Sequence, residues 1–188
     1  VVLDFPLKSV LRYELNSLVG VSMIPMVSIV ARSGTGKTSF LEKLIPVLTD
    51  RGYRIGVVKH AHHTIDIDKP GKDSYRLCEA GASEVIINAP NQMALIRKQE
   101  NELPLKEVLQ YLRDIDLILI EGYKGEDLPR IEIFRTGAGH PEPLFTQGKS
   151  PMALITDKPF PGVSFSVFSM ENIRGVADLI EKEVLNKD

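Results

Sequence analysis

The chain has 188 residues, 43% hydrophobic and 26% charged, which fits about one soluble globular domain able to bury its own core. Its net charge of −2 argues against bulk binding to a polyanion, so nucleic acid is not an expected partner. One cysteine excludes an internal disulfide, and no run of about 18 apolar residues is present to span a membrane, so the expected location is the cytoplasm.

Residues 1–22 carry Leu7, Leu11, Leu15 and Leu18 at roughly helical spacing, with Gly20 as a stop. Asp4, Lys8, Arg12 and Glu14 interrupt any signal-peptide core, so this stretch is expected to be an extension ahead of a domain over 23–188. Val27 to Ala31 is short, apolar and β-branched, and predicts a buried strand. Residues 37–50 predict a helix with Phe40, Leu41, Leu44 and Leu48 on one face, Gly52 as its stop and Pro46 as an obstacle. Residues 54–58 predict the next strand, followed by a polar loop, KHAHHTIDIDKPGK. Asp73 or Ser74 can cap a helix ending near Gly81 that buries Cys78.

Two strands around 85–88 and 93–97, separated by Pro90-Asn91, predict a hairpin. A helix follows Pro104, through about Leu112. Residues 117–120 form a wholly apolar strand, and 130–134 alternate as a strand read here as an antiparallel addition. Residues 136–150 look like loop. Strands around 152–155 and 163–168 and an amphipathic helix over 171–185 complete the order. The expected class is α/β, a largely parallel sheet flanked by helices, with antiparallel hairpin additions.

Ligands of open parallel sheets sit beyond the C-terminal strand ends. Four strands deliver polar residues there: Arg32–Thr38 after the first, His60, His62 and His63 after the second, Glu121-Gly122 after 117–120, and Asp157 after 152–155. Asp114 and Asp116 precede their strand and fall on the other edge. In ARSGTGKT, Gly34 and Gly36 let the backbone of Arg32, Ser33, Gly34, Thr35, Gly36, Lys37 and Thr38 curl round a phosphate at a helix N-terminus. Lys37 can reach the outer phosphates and Thr38 can ligate Mg²⁺. Ala31 replaces the motif's first glycine, which is acceptable at a strand end with negative φ.

Glu121 can hold a Mg²⁺-bound water or orient an attacking one. Asp157 can accept both N1–H and N2–H₂ of guanine, a pairing worth a factor of about 10⁴ against the wrong base if buried and dry. The 59–76 loop supports several readings: a zinc site from the histidines, an anion or second-substrate site through Lys69, Lys72 and Arg76, or a solvated loop. Asp66 and Asp68 alternate and are alternative Mg²⁺ partners.

The blocks MIPMVSIVARSGTGKT, KHAHHTIDIDKPGKDSYRLCEAGA, DLILIEGYK and FRTGAGH, in that order from Met23, resemble the molybdopterin-guanine dinucleotide biosynthesis adaptor family, MobB. The resemblance implies a P-loop NTPase fold that dimerises, binds GTP and assists the guanylyltransferase that joins GMP to molybdopterin, with slow GTP hydrolysis of its own. It matches Arg32–Thr38 to the phosphate loop, Glu121 to the second nucleotide motif, and His60, His63, Asp66, Asp68, Lys72 and Asp73 to a signature loop. Gly137 to His140 match a further block, and molybdopterin itself becomes a candidate ligand. The alternative from another class is a small-molecule kinase that uses the same loop with ATP or GTP.

Overall fold

A computed structural model describes residues 24–61 and 63–187. The expected extension over 1–22 and His62 lie outside the described residues. The described chain divides into two compact units, one built from residues up to 60 together with 112–188, the other from residues 61–111.

The first unit is a six-stranded sheet. Its strands are β1 (Met26–Ala31), β2 (Ile55–Lys59), β5 (Leu117–Glu121), β6 (Arg130–Phe134), β7 (Ala153–Thr156) and β8 (Ser166–Ser169), in the order β2-β5-β1-β6-β7-β8. Every pairing is parallel. The strand at 130–134 is therefore no antiparallel addition. It lies inside the sheet, with Ala31 opposite Ile133 on one side and Ile133 opposite Ile155 on the other. The alternation in its sequence misled because one alternating position, Glu132, is a buried carboxylate rather than a solvent-facing one.

Strands buried on both faces need apolar residues at nearly every position, which the runs MVSIVA, LILIE and ALIT supply. One face, carrying Val27, Ile29, Leu119, Ile131, Ile133 and Ile155, packs on α1 (Lys37–Asp50) and α4 (Ile173–Glu183). Phe40, Leu41, Leu44 and Leu48 of α1 and Val176, Ala177 and Ile180 of α4 recur every three or four residues and meet that face. The helix runs straight through Pro46, because Pro46 and Glu42, whose carbonyl loses its partner, are both exposed. Asn172 caps α4 by accepting from Gly175 N–H. At the N-terminal strand ends Asp116 accepts from the backbone and guanidinium of Arg54, far from any ligand edge.

The second unit holds α2 (Asp73–Glu79), the antiparallel hairpin β3 (Glu84–Ala89) and β4 (Gln92–Arg97), and a short helix α3 (Leu105–Val108) that tightens into a 3₁₀ turn at Leu109–Tyr111. Cys78 is buried and free, as its place on an apolar helix face predicts. Ile86 sits opposite Leu95 and Asn88 opposite Met93. Ile86 is 62% and Met93 67% exposed, so the hairpin shows solvent an apolar surface.

Candidate functional site

The first unit carries the site at the C-terminal edge of its sheet. After β1, Gly34 (φ +76°) and Gly36 (φ +94°) take left-handed backbone, the conformation that curls the loop. Thr35 is buried and its Oγ1 donates to the Arg32 carbonyl at 2.9 Å, closing the loop on itself. The α1 helix starts directly at Lys37, so its unsatisfied N–H groups and positive end face the loop. Lys37 Nζ donates back to the carbonyls of Ala31 and Arg32, at 3.5 and 3.3 Å.

Cations crowd this edge. Burial lowers the Lys37 pKa first of all; Glu121 pulls it back up, and the positive charges of Lys124 and Lys59 push it down again. Glu121, at 9% exposure, lies 3.9 Å from Lys59 Nζ. Three ammonium groups gather here and Glu121 interacts with two of them, Lys37 and Lys59, an arrangement that favours an incoming anion.

Gly122 (φ +101°) brings its backbone against His60: an added Cβ would lie 2.9 Å from His60 Cβ. The His60 ring stacks on Tyr123 at 4.5 Å between centroids. Ser28 Oγ donates to the Gly122 carbonyl, so a buried hydroxyl of β1 sets the turn after β5.

The segment after β6 folds over the phosphate loop. His140 Nε2 is 3.1 Å from the Ser33 carbonyl. Asp157 accepts from Thr136 N–H, at 3.0 and 3.2 Å to its two oxygens, and from Thr136 Oγ1 at 2.9 Å; the backbone bond is the main cause of its lowered pKa. Glu132, 2% exposed, accepts from the N–H groups of Leu144 and Phe145, fixing the turn at Leu144–Gln147. Its pKa is raised, chiefly by burial, against those two bonds. A groove of about 350 Å³ lined by Gly36, Ser39, Arg135 and Asp157 adjoins a hollow of about 450 Å³ lined by Asp157, Lys158 and Phe168; both share Met170 and Glu171.

The family model for MobB, "Molybdopterin guanine dinucleotide synthesis protein B", matches residues 26–157. The chain belongs to the MobB family. It is 41% identical over 170 residues to the molybdopterin-guanine dinucleotide biosynthesis adapter protein of Escherichia coli K12, covering 87% of this chain and 95% of that one. The corresponding Haemophilus influenzae adapter protein is 37% identical over 85% of this chain and 89% of its own length. Among solved structures, Bacillus subtilis MobB superposes with a TM-score of 0.68 at 25% identity, covering 86% of this chain and 98% of that one. A further MobB crystal structure gives 0.67 at 29% identity, covering 84% and 98%. The fold is the MobB P-loop NTPase fold, built to bind a nucleotide.

Of the residues expected in the site, Arg32 to Thr38, His60, Glu121 and Asp157 all lie on this edge of the first unit. His63, Asp66, Asp68 and Lys72 lie on the second. There, His63, Asp66 and Lys72 are exposed, and Asp68 Oδ1 accepts from Lys69 N–H at 2.8 Å. Among the described residues, no group of three or more His, Cys, Asp or Glu side chains is arranged to hold a metal. Tyr123 and Lys124 were not singled out from the sequence, and Arg135 was weighed only within the stretch 130–135 as an Arg-bearing lid for the kinase alternative, not as a residue of the nucleotide site. Arg135 and Tyr123 each follow a strand end, which is the signal that finds them once β6 is known to be parallel.

Proposed function

We propose that this MobB protein binds GTP with Mg²⁺ in the loop of residues 32–38 and works in the cytoplasm as an adaptor to the guanylyltransferase that attaches GMP to molybdopterin. The observation that carries the nucleotide reading is Lys37: a half-buried ammonium held by loop carbonyls, its charge disfavoured until an anion arrives. Loop amides and the start of α1 would hold the phosphates. Thr38 and Glu121 would hold the cation, whose chemistry there is to neutralise phosphate charge. Thr38 is exposed at the loop and Glu121 ends the neighbouring strand, so both donors suit a hard cation. The hollow beside Asp157, Lys158 and Phe168 offers an apolar floor and a carboxylate, which suits guanine.

The adaptor role rests on kinship with the two bacterial adapter proteins. A homodimer is part of this proposal. A lone two-stranded hairpin is marginal in water, and the exposed Ile86 and Met93 give it a surface to cover. Catalysis is expected to be weak, and nothing in the comparisons favours the kinase alternative.

The test is a calorimetric titration of the full chain with GTP and with ATP, each with and without Mg²⁺, followed by phosphate release with and without the guanylyltransferase. Tight, Mg²⁺-dependent binding of GTP and slow release to water support the proposal. Failure to bind either nucleotide ends it.

A further inference from the structure

The six strands run the same way, so the end of β6 belongs to the ligand edge as much as the end of β1 does. From β1 the chain passes to β2 on one side of the sheet; from its neighbour β6 it passes to β7 on the other. The β1–β6 gap is thus the topological switch point, where open α/β sheets receive their ligands. Ala31 pairs with Ile133, so Arg135, two residues on, emerges beside the phosphate loop.

Its guanidinium is close to the loop. A methyl group added to Gly36 would lie 3.7 Å from Arg135 Nη1. Arg135 lines the groove of about 350 Å³ together with Gly36, Ser39 and Lys43. The backbone that carries it is pinned on both sides: Thr136 donates twice to Asp157, and His140 meets Ser33. The loop's own arginine is used differently. Arg32 is half-buried and its Nε is buried without a hydrogen-bond partner. The exposed guanidinium stands beside a helix N-terminus, on an edge that gathers Lys37, Lys59 and Lys124; Asp157 in the same groove offsets part of that positive charge, and a phosphate would offset the rest. The planar fork of donors fits phosphate oxygens better than an ammonium does.

We propose that Arg135 is a phosphate-binding residue of the nucleotide site, supplying from the same chain a guanidinium to the nucleotide's phosphate tail. This rests on the reading of residues 32–38 as a GTP site. The role is distinct from that of Lys37, which is held from beneath by loop carbonyls, whereas Arg135 approaches from the neighbouring strand.

The test titrates GTP with Mg²⁺ into the full-length wild type, Arg135→Ala and Arg135→Lys, and records nucleotide-free melting curves for all three. The expected result is a loss of affinity of roughly 10-fold or more for Arg135→Ala and an intermediate loss for Arg135→Lys, with all three melting alike without nucleotide. Arg135→Ala binding GTP within twofold of wild type would overturn the proposal. So would Arg135→Lys failing as badly as Arg135→Ala while both melt early, since that marks a structural role. If wild type itself binds no GTP, the underlying reading of the site falls first.

Discussion

His140 reaches back over the phosphate loop, its Nε2 3.1 Å from the carbonyl oxygen of Ser33. A carbonyl only accepts, so Nε2 carries the proton. The contact couples the turn after β6 to a loop whose backbone is otherwise exposed at Ser33 and Gly34. Replacing His140 with Ala removes one hydrogen bond of about 0.5–1.5 kcal/mol, and GTP affinity is expected to fall by a few-fold to about 10-fold. Equilibrium titration of the two proteins checks it; an identical Kd would mean the loop holds its shape unaided.

Lys37→Ala removes a charge-assisted contact, so nucleotide affinity should drop by about 1.5–3 kcal/mol. A second expectation concerns protons. Burial holds the Lys37 pKa below its ordinary value in the free protein, and a bound phosphate would raise it. Binding should then take up protons as pH approaches the lowered pKa, and affinity should weaken as pH rises through it. Calorimetry in two buffers of different ionisation enthalpy reads the proton count directly. Lys37→Ala should abolish the uptake.

Asp157 is exposed and both its oxygens face Thr136, so it lacks the dry surroundings that would give the full discrimination between bases. Asp157→Asn keeps one acceptor for Thr136 and loses the pairing to guanine. A preference for GTP over ATP should shrink by roughly tenfold, on the order of a single hydrogen-bonded contact. Competition of the two nucleotides for wild type and variant measures it. An unchanged ratio would assign base reading elsewhere.

Gly122→Ala asks for a Cβ 2.9 Å from that of His60 at φ +101°, where side chains are strained. The expected cost is about 1–3 kcal/mol in urea unfolding, with Glu121 displaced and nucleotide binding weakened alongside. Gly125→Ala is the control. It lies on the same connection, has open space around it, and should stay within about 0.5 kcal/mol of wild type.

Glu132 predicts a pH effect of defined sign. Its pKa is raised in the folded protein, chiefly by burial, so its contribution is fully present below the ordinary glutamate value and is lost as pH rises through the raised one. Glu132→Gln should remove that dependence. It also leaves one of the Leu144 and Phe145 N–H groups without an acceptor, at about 1–3 kcal/mol. Denaturation midpoints from acid to neutral pH compare the two slopes.

Most of the sheet was legible because buried parallel strands must be almost continuously apolar, and 27–31, 117–120 and 152–155 are, Ser28 apart. The curl of the loop at 32–38 was legible because its glycine spacing predicts the left-handed backbone found at Gly34 and Gly36. Arg135 was not, because its visibility depends on the direction of β6. A strand that alternates Ile-Glu-Ile suggests an exposed edge, and only the fold shows Glu132 buried beneath the Leu144 turn. With β6 taken as an antiparallel addition, the residue after it was not counted with the ends of the four parallel strands. Tyr123 was hidden similarly: its partner, His60, is distant in sequence, and only Gly122 hinted at the close approach. The hairpin's existence was plain from Pro90-Asn91, whereas its exposed face depends on burial, which alternation alone does not give.

The stretch from Thr136 to Phe145 is tied down at three places: by Asp157 at its start, by Ser33 at His140, and by Glu132 beneath its end. A nucleotide arriving there meets a wall already built, with little chain left to freeze. The heat-capacity change of association should accordingly match the apolar area covered, without the excess that accompanies a segment folding around its guest.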